Sequence, residues 1–236
     1  METEKLESLS VNNLTYQIGD KKILNNLGPF QMQRTDLVCI SGPSGGGKTT
    51  FINLLSGLLP ASAGEIKWGH HDVKANFNKL DKLRLEWISI IFQEPRLAKN
   101  LSGWENIILP LKLSGRMHLF NKALIKQLLD TLFIGQGMTQ QELDALLDMK
   151  VSRYSGGQMQ RISIIRAIIS LPKYIFADEI LNSLEPELQE TTWQSIKQIC
   201  REYKIGFLLI THNTYLLQDT DFTKKIIIDK GAIPNV

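Results

Sequence analysis

One stretch constrains this chain more than any other: Ser-Gly-Pro-Ser-Gly-Gly-Gly-Lys-Thr-Thr, residues 41–50. Residues Gly42 to Thr49 fit the spacing G-x-x-x-x-G-K-[ST]. The apolar run Leu37–Ile40 precedes it, and a helical pattern opens at Thr49. That strand–loop–helix register is the context the motif requires, and an incidental Gly-rich turn would not supply it. Glycines let backbone N–H groups turn inward around phosphate oxygens. The candidate phosphate cradle is therefore Gly42, Pro43, Ser44, Gly45, Gly46, Gly47, Lys48, Thr49 and Thr50. In it Lys48 reaches the β- and γ-phosphates and the Thr49 hydroxyl binds Mg²⁺. The N-terminus of the following helix adds favourable partial charge for the anion.

A second constellation ends the apolar run "YIFA": Asp178 and Glu179. A carboxylate at the C-terminal end of a parallel strand faces the crevice where α/β sheets bind ligands. Asp178 is the candidate Mg²⁺ ligand. Glu179 is the candidate for orienting or deprotonating an attacking water. Phosphoryl transfer needs mainly positioning and charge stabilisation, so a metal, a lysine and one base suffice. Together the two sites point to a nucleotide-binding fold of the P-loop kind.

The rest of the chain agrees with an α/β fold. Short apolar runs at 36–41, 87–93, 173–178, 206–212 and 224–230 read as strands covered on both faces. Helical patterns lie between them, at 51–59, 120–133, 156–170 and 186–203. Alternating strands and helices give an α/β domain. Residues 94–156 lack strand signals and read as an inserted helical subdomain. The 236 residues suit one large domain or two small ones. A net charge of +3 is too small to indicate a nucleic-acid partner. No apolar run approaches the roughly 20 residues needed to span a bilayer. The acidic start "METEKLESLS" does not read as a secretory signal. Cys39 and Cys200 are far apart in sequence and form no C-x-x-C pair, which disfavours zinc and suits a reducing compartment.

The segment "YSGGQMQR", residues 154–161, narrows the class. Ser155, Gly156, Gly157 and Gln158 open another helix whose first N–H groups lack partners, a second anion site. One chain has little use for two γ-phosphate sites, but a head-to-tail pair of chains does. Over nearly its whole length the sequence resembles the ATP-binding cassette family. The resemblance implies two cassettes sandwiching two ATP molecules, each between one chain's phosphate loop and the other's signature. It also implies a P-loop NTPase core with a mixed sheet, an N-terminal antiparallel β subdomain and the helical subdomain. The boundaries would be 1–93 and 157–236 for core and β subdomain, and roughly 94–156 for the helices. Further family motifs follow in order. Gln93 matches the glutamine that contacts Mg²⁺ and the attacking water. His212 matches the switch histidine near the γ-phosphate. Tyr16 matches the aromatic stacked on adenine. "ILNSLEPE", 180–187, occupies the D-loop position.

Three positions depart from the family pattern. Tyr154 stands where leucine is usual and implies altered packing beside Ser155. Ile180 replaces the proline after Glu179 and implies a looser turn. Glu185 replaces the D-loop aspartate with a side chain one methylene longer. None removes a group required for hydrolysis, so an active Mg²⁺-dependent ATPase is expected.

The resemblance further implies an integral membrane permease subunit as partner. A second copy of this chain or a related cassette completes the dimer, and the location is peripheral, at the cytoplasmic face of the inner (plasma) membrane. The segment after Gln93 is where family members receive the membrane subunit, and Leu97 and Trp104 are its candidate contacts. The pattern looks most like the lipoprotein-release, macrolide-export and cell-division group, with small-solute and metal cassettes sharing many residues. The short stretch after residue 226 leaves no room for the added regulatory domain of some importers. A non-transport cassette is the competing class. About 60 residues separate Gln93 from Ser155 without sustained heptads, against the long coiled coils of repair types. The zinc cysteines of the DNA-damage type and the basic stripe of a nucleic-acid binder are absent.

Overall fold

The computed structural model describes residues 7–75, 77, 80–182 and 184–233. The N-terminal stretch 1–6, residues 234–236 and Ser183 of the 180–187 segment lie outside them. The parallel runs form one sheet of five strands: β4 (Leu37–Ser41), β7 (Ile88–Ile91), β8 (Tyr174–Asp178), β9 (Gly206–Ile210) and β10 (Lys224–Ile227). Their spatial order is β10-β4-β9-β8-β7, and every described pairing is parallel. A second sheet is antiparallel. It contains β1 (Leu9–Ile18), β2 (Lys21–Leu27), β3 (Phe30–Met32), β5 (Ala63–Trp68) and β6 (His71–Asp72). The mixture of pairing is thus divided between two sheets. Within the second, β1 pairs with β3 through Leu9–Val11 and with β2 from Leu14 onward.

Side-chain alternation along the parallel strands separates two cores. Leu37, Cys39, Ile175, Ala177, Phe207 and Leu209 face one way. Val38, Ile40, Tyr174, Phe176, Leu208 and Ile210 face the other. The first face is covered by α6 (Gly156–Ile169) and α7 (Pro186–Tyr203). The second meets α1 (Lys48–Leu55) and the antiparallel sheet. Both faces being covered explains why these strands read as unbroken apolar runs. Cys39 and Cys200 are both buried and free, and burial pushes their thiols up to about 11 and about 12, so neither is a nucleophile.

The sequence reading did not resolve α2 (Leu80–Trp87), α3 (Gly103–Ser114) or α5 (Gln140–Asp148) individually. Together with α4 (Lys122–Leu132), α3 and α5 occupy the stretch between Gln93 and Ser155. Helices α3, α5 and α6 each begin with a capping box, Ser102/Glu105, Thr139/Glu142 and Ser155/Gln158. Each side chain satisfies the other's orphan N–H, which defines the helix start. Pro110 sits inside α3, and the helix continues to Gly115 in the left-handed conformation.

Candidate functional site

Because all five core strands run the same way, their C-terminal ends share one edge. Ile40 aligns with Ile210, and Ile210 with Asp178. The loop 42–47 leaves that edge after β4, Glu179 after β8, His212 after β9 and Gln93 after β7. Residues remote in sequence are brought together by strand direction alone.

The phosphate loop is shaped by what lies beneath it. Gly42 (φ 134°) and Gly47 (φ 100°) are in the left-handed half of backbone space. A Cβ on Gly42 would overlap the Ile228 carbonyl, and one on Gly46 would stand 2.8 Å from the same oxygen. The Gly231 N–H donates to the Gly46 carbonyl at 3.0 Å. The buried Lys48 ammonium donates to the carbonyls of Gly42 (2.8 Å) and Pro43 (2.9 Å), so its charge is held inside the loop. Gly47 caps α1 without a side-chain acceptor, leaving the first N–H groups directed at the loop.

The Thr49 hydroxyl donates to Asp178 Oδ2 at 2.6 Å. Burial raises the Asp178 pKa, and the Glu179 charge adds to this, against the Thr49 hydrogen bond and the Lys48 and His212 charges. Hydroxyl and carboxylate oxygens are the hard donors Mg²⁺ takes, usually with one or two carboxylates and phosphate oxygens completing the shell. Thr49 and Asp178 fit that ion.

Glu179 adopts φ 51°, unusual for a side chain of its size. Its N–H donates to the Ile210 carbonyl at 3.0 Å, tying it to β9. Its carboxylate meets His212 Nε2 at 3.0 Å through Oε1 and Gln93 Nε2 at 3.4 Å through Oε2. Asn182 Nδ2 also donates to Oε2, at 3.2 Å, a contact that sequence reasoning missed. The turn expected to loosen at Ile180 is closed by the Asn182 N–H on the Glu179 carbonyl, with Ile180 fully buried.

Tyr16 lies half-buried on β1, opposite Leu24, whose side chain abuts Gly47. Tyr16 is thus paired across the sheet with the residue that packs on the loop. The signature residues stand apart. Ser155 Oγ accepts from the Gln158 N–H at 3.2 Å, and Gln158 Oε1 accepts from the Ser155 N–H at 2.9 Å. The Ser155 O–H remains available to donate. Among the described residues no hydrogen bond joins 155–158 to the 42–50 loop. Tyr154 is buried and donates its hydroxyl to the Leu146 carbonyl, so the departure from leucine is a matter of packing. Glu185 caps α7 through its backbone, and its charge favours that of partly buried Arg161.

Two further placements bear on the segment after Gln93. Leu97, expected on a partner-facing surface, is buried in the first core with Ile107, Ile108 and Leu111, which removes it from that role. Trp104 is half-buried, set edge-on to Phe120, and lines a groove with Ile125, Leu143 and Leu147. The loop itself is pinned by fully buried Asn106. Its side chain donates to the carbonyls of Ala98 (3.1 Å) and Ser102 (2.9 Å) and accepts from the Ala98 N–H (2.8 Å). A lone asparagine within "WENIILPL" was the available signal.

A glycine-rich loop closed on a lysine, a hydroxyl–carboxylate pair and a clamped carboxylate at one sheet edge have the form of a P-loop NTPase core. Comparison with known proteins narrows this. The pattern of the family described as ABC transporter matches residues 24–182. The lipoprotein-releasing system ATP-binding protein LolD of Treponema denticola is 31% identical, over 88% of this chain and 87% of that protein. LolD of Leptospira interrogans is 29% identical, over 92% and 85%. In fold, a dimeric post-hydrolysis structure of the ATP-binding cassette MJ0796, bound to ADP and Pi, superposes with a TM-score of 0.82. It covers 96% of this chain and 97% of that one at 24% identity. The chain belongs to the ABC transporter family. As a cassette of that family it is an Mg²⁺-dependent ATPase subunit. Among the described residues no helix is long and apolar enough to cross a membrane.

Proposed function

We propose that this chain is the ATP-hydrolysing subunit of a lipoprotein-releasing type of transporter, peripheral at the cytoplasmic face of the inner membrane. The observation that carries the chemistry is the Glu179 carboxylate 3.0 Å from His212 Nε2, beside the Thr49–Asp178 pair at 2.6 Å. The LolD relatives of Treponema denticola and Leptospira interrogans, both matched over more than four-fifths of their length, support the subfamily.

In this reading Tyr16 stacks on the adenine face. The backbone N–H groups of 42–50 and the Lys48 ammonium bind the phosphates. Thr49, Asp178 and Gln93 hold Mg²⁺, which when bound neutralises charge on the phosphate oxygens. Glu179 takes a proton from the attacking water, and His212 steadies Glu179 and the γ-phosphate. Two chains close head to tail, so that Ser155–Gln158 of each meets the nucleotide held by the other. The division of labour follows the chain: 1–93 and 157–236 bind and hydrolyse. The helical part, 94–156, passes closure to a separate membrane subunit through a surface that includes Trp104.

The test is Glu179→Gln. The expected variant binds ATP, loses Mg²⁺-dependent hydrolysis and elutes as a dimer in ATP. A variant that stays monomeric in ATP, with the membrane subunit present, would remove the sandwich. Co-purification of a membrane protein with a large extracytoplasmic domain supports the lipoprotein-release type. A compact multi-span permease would replace it with small-solute transport.

A further inference from the structure

The Glu179 carboxylate has donors on three sides, and one of them has no role in the reading above. We propose that Asn182 is a positioning residue for hydrolysis, its carboxamide setting the direction in which Glu179 presents Oε2 to the attacking water. This rests on Glu179 being the base.

The last torsion of a glutamate is broad and two-fold, so rotamer preference does not orient the carboxylate. Hydrogen-bond donors must do so. The Gln93 amide, at 3.4 Å, lies near the limit of a useful hydrogen bond, whereas Asn182 Nδ2 is at 3.2 Å on the same oxygen. His212 holds only the other oxygen, Oε1. Oε2 therefore takes its direction from two carboxamides, of which Asn182 makes the closer contact.

Asn182 acts on Glu179 at both ends. Its N–H closes the turn on the Glu179 carbonyl at 3.2 Å, and its side chain grips the carboxylate. A substitution removes only the second contact, because the backbone bond survives in any residue but proline. The left-handed backbone at Glu179 is thus retained while the carboxylate loses a donor. The side chain of Asn182 is exposed, on the 180–187 segment, whereas that of Glu179 is mostly covered. Any displacement of this segment re-aims the base, which couples the orientation of Glu179 to whatever the segment touches.

Asn182→Ala and Asn182→Gln in the full chain test this, at saturating Mg²⁺ and ATP. Asn182→Ala should lower kcat about 5-fold with KM within about two-fold of wild type, the mark of an interaction realised in the transition state. Asn182→Gln keeps the amide on a longer, displaced arm and should be faster than Asn182→Ala while staying below wild type. Affinity for a fluorescent ATP analogue should not change. Wild-type kcat in Asn182→Ala overturns the proposal. So does a joint loss of affinity and rate, or an Asn182→Gln as slow as Asn182→Ala. Glu179→Gln is the separate control. Wild-type hydrolysis in that variant would remove the base assignment itself, whatever Asn182 does.

Discussion

The Tyr154 hydroxyl occupies the volume that a side chain at Gly103 would need: a Cβ built there overlaps the phenolic oxygen. The contact joins the segment after Gln93 to the segment leading into Ser155. Backbone bonds reinforce it, from Val151 N–H to the Leu101 carbonyl (3.0 Å) and from Gly103 N–H to the Met149 carbonyl (3.2 Å). Gly103→Ala should therefore overpack the site and cost about 1–3 kcal/mol. Adding Tyr154→Leu should recover part of that loss. A double-mutant cycle by urea denaturation should give a coupling of about 1 kcal/mol or more, and additive effects would show that the two sites do not communicate.

Lys48 is buried with its ammonium on the Gly42 and Pro43 carbonyls. Lys48→Ala removes both the charge proposed to meet the phosphates and the brace that closes the loop. Affinity for ATP should fall about 10-fold or more, equivalent to about 1.4 kcal/mol. Titration with a fluorescent nucleotide measures it, and unchanged affinity would argue against the cradle.

Asp178 places a carboxyl group in a buried site, and burial raises its pKa. Asp178→Asn keeps an acceptor for Thr49 while deleting the charge. The nucleotide-free chain should become more stable, seen as a higher Tm. Mg²⁺-dependent hydrolysis should fall about 100-fold or more. Stability and activity moving in opposite directions is the signature of a group kept for function.

Lys197 is almost wholly buried and pairs with Asp219 at 2.8 Å and Asp221 at 2.6 Å. Burial opposes ionisation of Asp219, but the Lys197 ammonium, the Asp221 N–H and the Trp193 indole outweigh it and lower its pKa. The Lys197 hydrogen bond lowers that of Asp221. A lowered carboxylate stabilises the fold fully above its unfolded pKa of about 3.9, and that contribution disappears as pH falls through the folded value. Unfolding free energy should therefore drop below about pH 4, less steeply in Asp219→Asn. Lys197→Ala removes the cation shared by two carboxylates; Asp219 keeps the Trp193 indole and the Asp221 N–H and Asp221 keeps Arg201, so the cost at neutral pH should be about 1–3 kcal/mol.

How much of this was legible depended on how local the cause was. Helix α7 was read to its bounds because Pro186 marks its first residue and an apolar stripe runs to Lys204, which adopts the left-handed conformation. The phosphate loop and the Asp178–Glu179 pair were legible because strand, loop and helix follow one another in sequence. Leu97 was misplaced because one apolar residue in a polar loop gives no sign of which side it faces. Asn182 and Asn106 were missed because their meaning lies in partners brought near by folding: a carboxylate three residues back in a reversed turn, and a loop hung from α3. Helix α2 was missed because it buries only Leu80 and Trp87, too little for a clear period.

The support beneath the phosphate loop comes from far along the chain. The Ile228 carbonyl underlies Gly42 and Gly46, and the Gly231 N–H holds the Gly46 carbonyl. While the chain is being made, the glycine motif leaves the ribosome some 180 residues ahead of the strand and turn that give it shape, a wait of about 10–40 s at ordinary synthesis rates. A nascent cassette thus carries the motif long before it carries the site.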